Sequence, residues 1–131
     1  MAAILVVDDE PTILNLCQSI LHLGGHTVLA ARGAEEALRL TRGASIELAL
    51  LDIIMPGMNG IQLAHRLRSA NPAVPIILMT GYSLREVQEI TGENNPFRII
   101  WKPFKTESLL RMIENALEGQ PGDATPSASR Q

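Results

Sequence analysis

The chain has 131 residues, 46% apolar and 19% charged, with a formal net charge of −3, which fits one domain able to bury its own core without staples. The acidic balance argues against direct nucleic-acid binding, which needs basic patches. A single cysteine excludes an internal disulfide, and no apolar run approaches the ~20 residues of a membrane span.

The chain starts apolar but breaks at once into Asp8-Asp9-Glu10, unlike a signal peptide, so the cytoplasm is the expected compartment. Ile4–Val7 is the first of several short apolar runs, as expected for strands buried on both faces of a parallel sheet. Pro11 then opens a helix carrying Ile13, Leu16, Cys17 and Ile20 on one stripe, and Gly24-Gly25 stops it. Cys17 lies among Leu16, Ile20 and Leu21 and reads as a buried, inert thiol. Thr27–Ala30 is the second strand. A second helix runs from about Ala34 to Thr41, with Ala37 and Leu38 inward, and ends before Gly43. Ile46–Leu51 is the third strand, and Gly57 and Gly60 serve the loop after it.

The third helix follows Asn59-Gly60 and places Leu63, Ala64 and Leu67 together. Ile76–Met79 is the fourth strand. The helix from about Ser83 is weakly apolar, with only Leu84, Val87 and Ile90 as large apolar residues. Phe97–Trp101 is the last strand, with Trp101 packed near the sheet end. The last helix begins at Thr106, read as an N-cap that acts alone because Leu109 stands where a capping box needs Glu or Gln. Leu109, Leu110, Ile113, Ala116 and Leu117 form its inner face. From Glu118 the chain turns to Gly, Pro, Ser, Ala and Thr. Residues 1–118 are thus expected to form the domain, and 119–131 a disordered tail or linker.

Strand–helix alternation predicts the α/β class: a doubly wound, five-stranded parallel sheet with helices on both faces. Ligands bind such sheets at the carboxyl ends of the strands. Those ends carry Asp8-Asp9, Asp52, Thr80-Gly81 and Lys102-Pro103. Three crowded carboxylates repel one another unless a hard divalent cation joins them, and Mg²⁺ prefers such oxygen ligands. Asp52 is the best-placed nucleophile, because a carboxylate attacking phosphorus gives an aspartyl phosphate. Charge then growing on the phosphoryl oxygens is met by the metal, Lys102 and the Thr80 hydroxyl. Taken singly, each residue has a plainer reading: Asp8 and Asp9 as a strand end or helix cap, Asp52 as a turn residue, Thr80 as a strand residue, Lys102 as a surface charge. His22, His26 and His65 show no partner spacing and are read as structural or exposed, not as catalytic groups or zinc ligands.

Four stretches in order carry a resemblance: Ile4-Leu-Val-Val-Asp8-Asp9-Glu10, Leu51-Asp52-Ile-Ile-Met-Pro56-Gly-Met-Asn-Gly60, Met79-Thr80-Gly81 and Trp101-Lys102-Pro103-Phe104. Over about residues 3 to 118 the chain resembles a response-regulator receiver domain of two-component signalling, the CheY-like superfamily. The resemblance implies a flavodoxin-like fold with strand order 2-1-3-4-5. It implies Asp52 as phosphoacceptor, Thr80 as switch hydroxyl and Lys102 as phosphate partner, with a cis Lys102–Pro103 bond. Asp9 would bind Mg²⁺, or Mn²⁺ in its place, directly, Asp8 through water, with Asp52 and the Ile54 backbone carbonyl as further ligands. One departure stands out. Ile99 occupies a position where the family usually has Tyr or Phe as a rotating switch. Ile54 and Tyr82 fill two positions that often tune phosphoryl lifetime.

The implied function is a phosphorelay: a histidine kinase or histidine phosphotransfer protein donates its phosphoryl group to Asp52, and partner binding switches. Such a domain is a signalling module that catalyses its own phosphorylation and dephosphorylation. It fits a free-standing regulator or a receiver separated from a larger hybrid kinase, with room for a weak phosphorylation-dependent dimer; no downstream partner is named. Two readings compete. A haloacid-dehalogenase-type phosphatase wants Asp-x-Asp after its first strand, where this chain has Asp8-Asp9-Glu10. A phosphorylation-independent interaction module is at odds with the intact residue set. Nucleotide binding is disfavoured, because no Gly-rich loop follows the first strand.

Overall fold

A computed structural model describes residues 2–92 and 96–119; most of the expected 119–131 tail therefore lies outside the described residues. Five strands, β1 (Ala3–Val7), β2 (Thr27–Ala31), β3 (Leu48–Asp52), β4 (Ile76–Thr80) and β5 (Arg98–Trp101), alternate with five helices. These are α1 (Pro11–Leu23), α2 (Ala34–Arg42), α3 (Gly60–Ala70), α4 (Leu84–Thr91) and α5 (Thr106–Leu117). All strand pairs are parallel, in the order β2-β1-β3-β4-β5. This is the α/β, flavodoxin-like topology expected of the sequence.

The apolar strands serve two cores because successive side chains point to opposite faces. Leu5, Val7, Ala49, Leu51, Ile76, Leu78 and Ile99 pack with buried residues of α2, α3 and α4. Ile4, Val6, Leu48, Leu50, Ile77, Met79 and Ile100 pack with α1 and α5 on the other face. A strand covered on both sides has no use for a polar position, which explains the continuous runs.

Several local expectations need correction. The third strand begins at Leu48, two residues later than expected, although Ile46 is still buried. The fifth begins at Arg98, while Phe97 packs beneath it. In α1 the buried residues are Leu14, Cys17, Ile20 and Leu21, whereas Leu16 is exposed and Ile13 half-buried. Thr12, Asn15, Gln18, Ser19 and His22 share one face of the helix, the apolar residues cover the opposite half, and packing against the sheet buries only part of that half. In α2 Ala37 is buried and Leu38 only half-buried. In α5 Met112 joins Leu109, Ile113 and Ala116 in the core, while Leu110 and Leu117 flank it. Thr106 is not the cap. The Lys105 carbonyl accepts the first helical hydrogen bond from Leu109 N–H, so Lys105 is the N-cap, with no side-chain capping bond.

Both helices that follow the loops beyond β3 and β4 are capped by their own side chains. Asn59 accepts from Ile61 and Gln62 N–H while Gln62 reaches back to Asn59 N–H. Ser83 and Glu86 do the same for α4. These reciprocal boxes fix where α3 and α4 start. Gly57 has φ +76, which glycine adopts without strain. Gly60 is needed for a different reason: a Cβ there would collide with the Asp52 backbone carbonyl.

Candidate functional site

Register builds the site. Val7 pairs with Leu51, so the next residues, Asp8 and Asp52, lie side by side where the strands end. Asp52 pairs with Met79 and Thr80 with Trp101, which sets Thr80 and then Lys102 beside them. The ladder continues one step past the strands, with Asp8 N–H on the Ala31 carbonyl and Lys102 N–H on the Thr80 carbonyl. The Lys102–Pro103 peptide bond is cis.

Asp8 is fully buried and Asp52 nearly so, while Asp9 is half-buried. One carboxylate oxygen from each lies within 4.8 Å of the others. Lys102 Nζ donates to Asp8 at 2.9 Å and to Asp52 at 3.4 Å. Glu10 adds a carboxylate 3.8 Å from the same ammonium, a neighbour that sequence reasoning missed although it stands in the Asp-Asp-Glu run. The Asp8 side chain also accepts from Glu10 N–H, a local turn that holds the carboxylate in place. Thr80 is buried, and its hydroxyl accepts from Tyr82 N–H at 2.9 Å.

Burial pushes the Asp52 carboxyl up to about 6; Lys102 opposes this and Asp8 adds to it. Burial alone would lower the Lys102 pKa, but the bond to Asp8 and the charges of Asp52 and Asp8 outweigh it and hold the ammonium above its ordinary value. One ammonium among three close carboxylates leaves the pocket anionic. The all-oxygen donor set fits a hard divalent cation, so the coarse expectation of a divalent metal site is met by residues that converge.

Ile99, Trp101, Cys17 and the histidines are not members of this carboxylate cluster. Ile54 is exposed in the loop after β3, and Tyr82 is exposed after β4. Ile99 is buried in the α2–α3–α4 core, and Trp101 packs at the end of β5 in the same core. Cys17 is buried with its sulfur 3.8 Å from that of Met79, and burial pushes its thiol up to about 12, consistent with an inert group. None of the histidines joins the acidic pocket. His22 is exposed, and His65 stacks edge-on to Phe97. His26 does have partners that its spacing hid: it accepts from Ala2 N–H and meets Glu114 at 3.1 Å.

Comparison with known proteins agrees with this geometry. Residues 4–114 match the response regulator receiver domain family. The protein PilH of Pseudomonas aeruginosa is 34% identical over 91% of this chain and 100% of its own length. The response regulator FleR of the same organism is 32% identical, but the chain spans only 29% of it. Among solved structures, a receiver domain protein of Clostridium thermocellum superposes with a TM-score of 0.81 at 29% identity, covering 91% of this chain and 96% of that one. The Vibrio cholerae chemotaxis protein CheY4 gives 0.78 at 28% identity, over 88% and 98%. The chain belongs to the response regulator receiver domain family, the phosphoacceptor signalling modules of two-component systems.

Proposed function

We propose that Asp52 is the phosphoacceptor and that the domain itself promotes the transfer. The observation that carries this reading is the placement of Asp52 at the end of the central strand, between the Asp8–Asp9 pair and the Lys102 ammonium. An Asp52 oxygen attacks the phosphorus of a phosphohistidine. The new O–P bond forms as the P–N bond breaks, and the imidazole leaves with the electron pair and takes a proton from solvent. Lys102 and the Thr80 O–H meet charge on the phosphoryl oxygens. Asp8, Asp9, Asp52 and the Ile54 carbonyl would hold Mg²⁺, which supplies charge neutralisation between the carboxylates and the incoming phosphoryl group. Hydrolysis of the acyl phosphate at the same centre resets the domain.

The phosphodonor is a histidine kinase or histidine phosphotransfer protein, as the family implies, and the cytoplasm is the compartment in which it would be met. Among the described residues no helix is long and apolar enough to cross a membrane.

Incubation with acetyl phosphate and Mg²⁺ should add one phosphoryl group, labile to alkali and to hydroxylamine. Asp52→Asn should abolish it, and Asp9→Ala should remove its metal dependence. Undiminished labelling of Asp52→Asn would overturn the assignment.

A further inference from the structure

A trough of about 720 Å³ lies between α2 and α3, away from the carboxylate pocket. Its lining runs the length of α2, from Gly33 to Arg42, and crosses to Pro56–Met58 and Arg66. At ~1.5 Å per helical residue the stretch of α2 that lines it is some ~13 Å long, about two and a half helical turns. Leu38 and Met58 give it an apolar floor, both only partly buried against the core. Arg39, Arg42 and Arg66 rim it, all exposed, against one carboxylate, Glu35. None of the three guanidinium groups has an ion-pair partner among the described residues. This is a local positive field on a chain whose net charge is −3.

We propose that this trough docks an acidic, amphipathic helical segment of a protein partner. Its apolar residues would lie on Leu38 and Met58, and its carboxylates would take the forks of Arg39, Arg42 and Arg66. An apolar floor with a charged rim is the form in which helices are received in grooves, through anchors at i, i+3 and i+4. Guanidinium groups match carboxylates bidentately, and unpaired ones at a rim steer and orient an oppositely charged partner. A compact anion would satisfy the arginines but leave the apolar floor uncovered, and an extended lipid surface could not enter between the helices.

The test uses the full, unphosphorylated chain, so it does not depend on the role of Asp52. The probe is a short capped peptide with Leu and Glu at helical spacing, titrated into ¹⁵N-labelled protein. Amide shifts should concentrate in Gly33–Arg42 and Pro56–Arg66. The double variant R39E/R66E should bind about tenfold or more weakly, while R111E, a single Arg-to-Glu reversal on α5, binds as wild type. A Lys/Leu counterpart of the peptide should prefer R39E/R66E over wild type, a gain that no misfolded variant would give. The proposal is overturned if the shifts fall elsewhere, or if R39E/R66E binds the Glu/Leu peptide as wild type does. It is equally overturned if tripolyphosphate or anionic phosphatidylglycerol vesicles bind the same residues more tightly than the peptide.

Discussion

Asp52 prefers its proton in the folded state, because burial raises its pKa from 3.8 to about 6 despite Lys102. Between those two values the folded chain binds more protons than the unfolded one, so stability should fall as pH rises through that window. Above about 6 the cost is fully present, about 3 kcal/mol for a shift of this size. Lys102 works in the opposite sense but elsewhere. Its raised pKa stabilises the fold below its ordinary value and is lost only on the alkaline side. Melting of the metal-free protein should therefore decline from about pH 4 to about pH 6, and Asp52→Asn should flatten that decline and melt higher above it. Added Mg²⁺ should restore stability most where Asp52 is ionised, by binding only the folded state, and Asp9→Ala should lose that gain. An identical pH slope in wild type and Asp52→Asn would contradict the account.

The β3–α3 connection shows how an element is held by backbone proximity. Gly60 N–H donates to the Ile53 carbonyl, and the chain passes so near Asp52 that a methyl group has nowhere to go. The obstacle is main chain, which no rotamer change can relieve. Gly60→Ala should therefore cost about 1–3 kcal/mol or more and should displace the Asp52 carbonyl as well. Gly43→Ala meets nothing within 4 Å at a negative φ and should stay within about 0.5 kcal/mol of wild type. Denaturant melts of the two variants check this, and equal stabilities would show that the loop yields easily. Gly60 was visible in the sequence only as a glycine in a loop; the reason for it is a contact with a residue eight positions earlier that only the folded turn creates.

Across the whole molecule, the proposed phosphorylation of Asp52 would have to reach the surface with Ile99 where the family resemblance implies an aromatic ring. Ile99 is buried in the α2–α3–α4 core, and a β-branched side chain has few χ1 states to move between. α4 is the loosest element facing that core. Val87 is its one buried residue, while Leu84 and Ile90 are exposed. The Thr80 hydroxyl is already bonded to Tyr82 N–H, so movement of Thr80 pulls directly on the chain entering α4. Such a segment opens at low cost and is easily biased. Beryllofluoride should therefore shift backbone resonances over Thr80–Thr91, strongly reduced in Thr80→Val, which deletes the hydroxyl that holds Tyr82 N–H, and retained in Ile99→Val. Valine is chosen because Ile99→Ala would empty a core site at about 2–5 kcal/mol. Retention in Thr80→Val with loss in Ile99→Val would sink this route.

The alternation of elements, the parallel sheet and the set of polar residues at its carboxyl edge can all be read along the chain. Those features are encoded locally: strands buried on both faces must be continuously apolar, and they stop where a charge or hydroxyl appears. Which of those residues touch is set by the folded chain, not by local pattern. Lys102 meets Asp8 across 94 positions of chain and Asp52 across 50, and strand register alone makes them neighbours. The same is true of Glu10 beside Lys102, of His26 on Glu114, and of the arginines that rim the α2–α3 trough. It is also true of the rotation of α1, which buries Leu14 and Leu21 and leaves Leu16 outside. Periodicity tells a helix that it has an apolar side, but when that side is wider than the contact it makes, the surface it packs against chooses which part is buried.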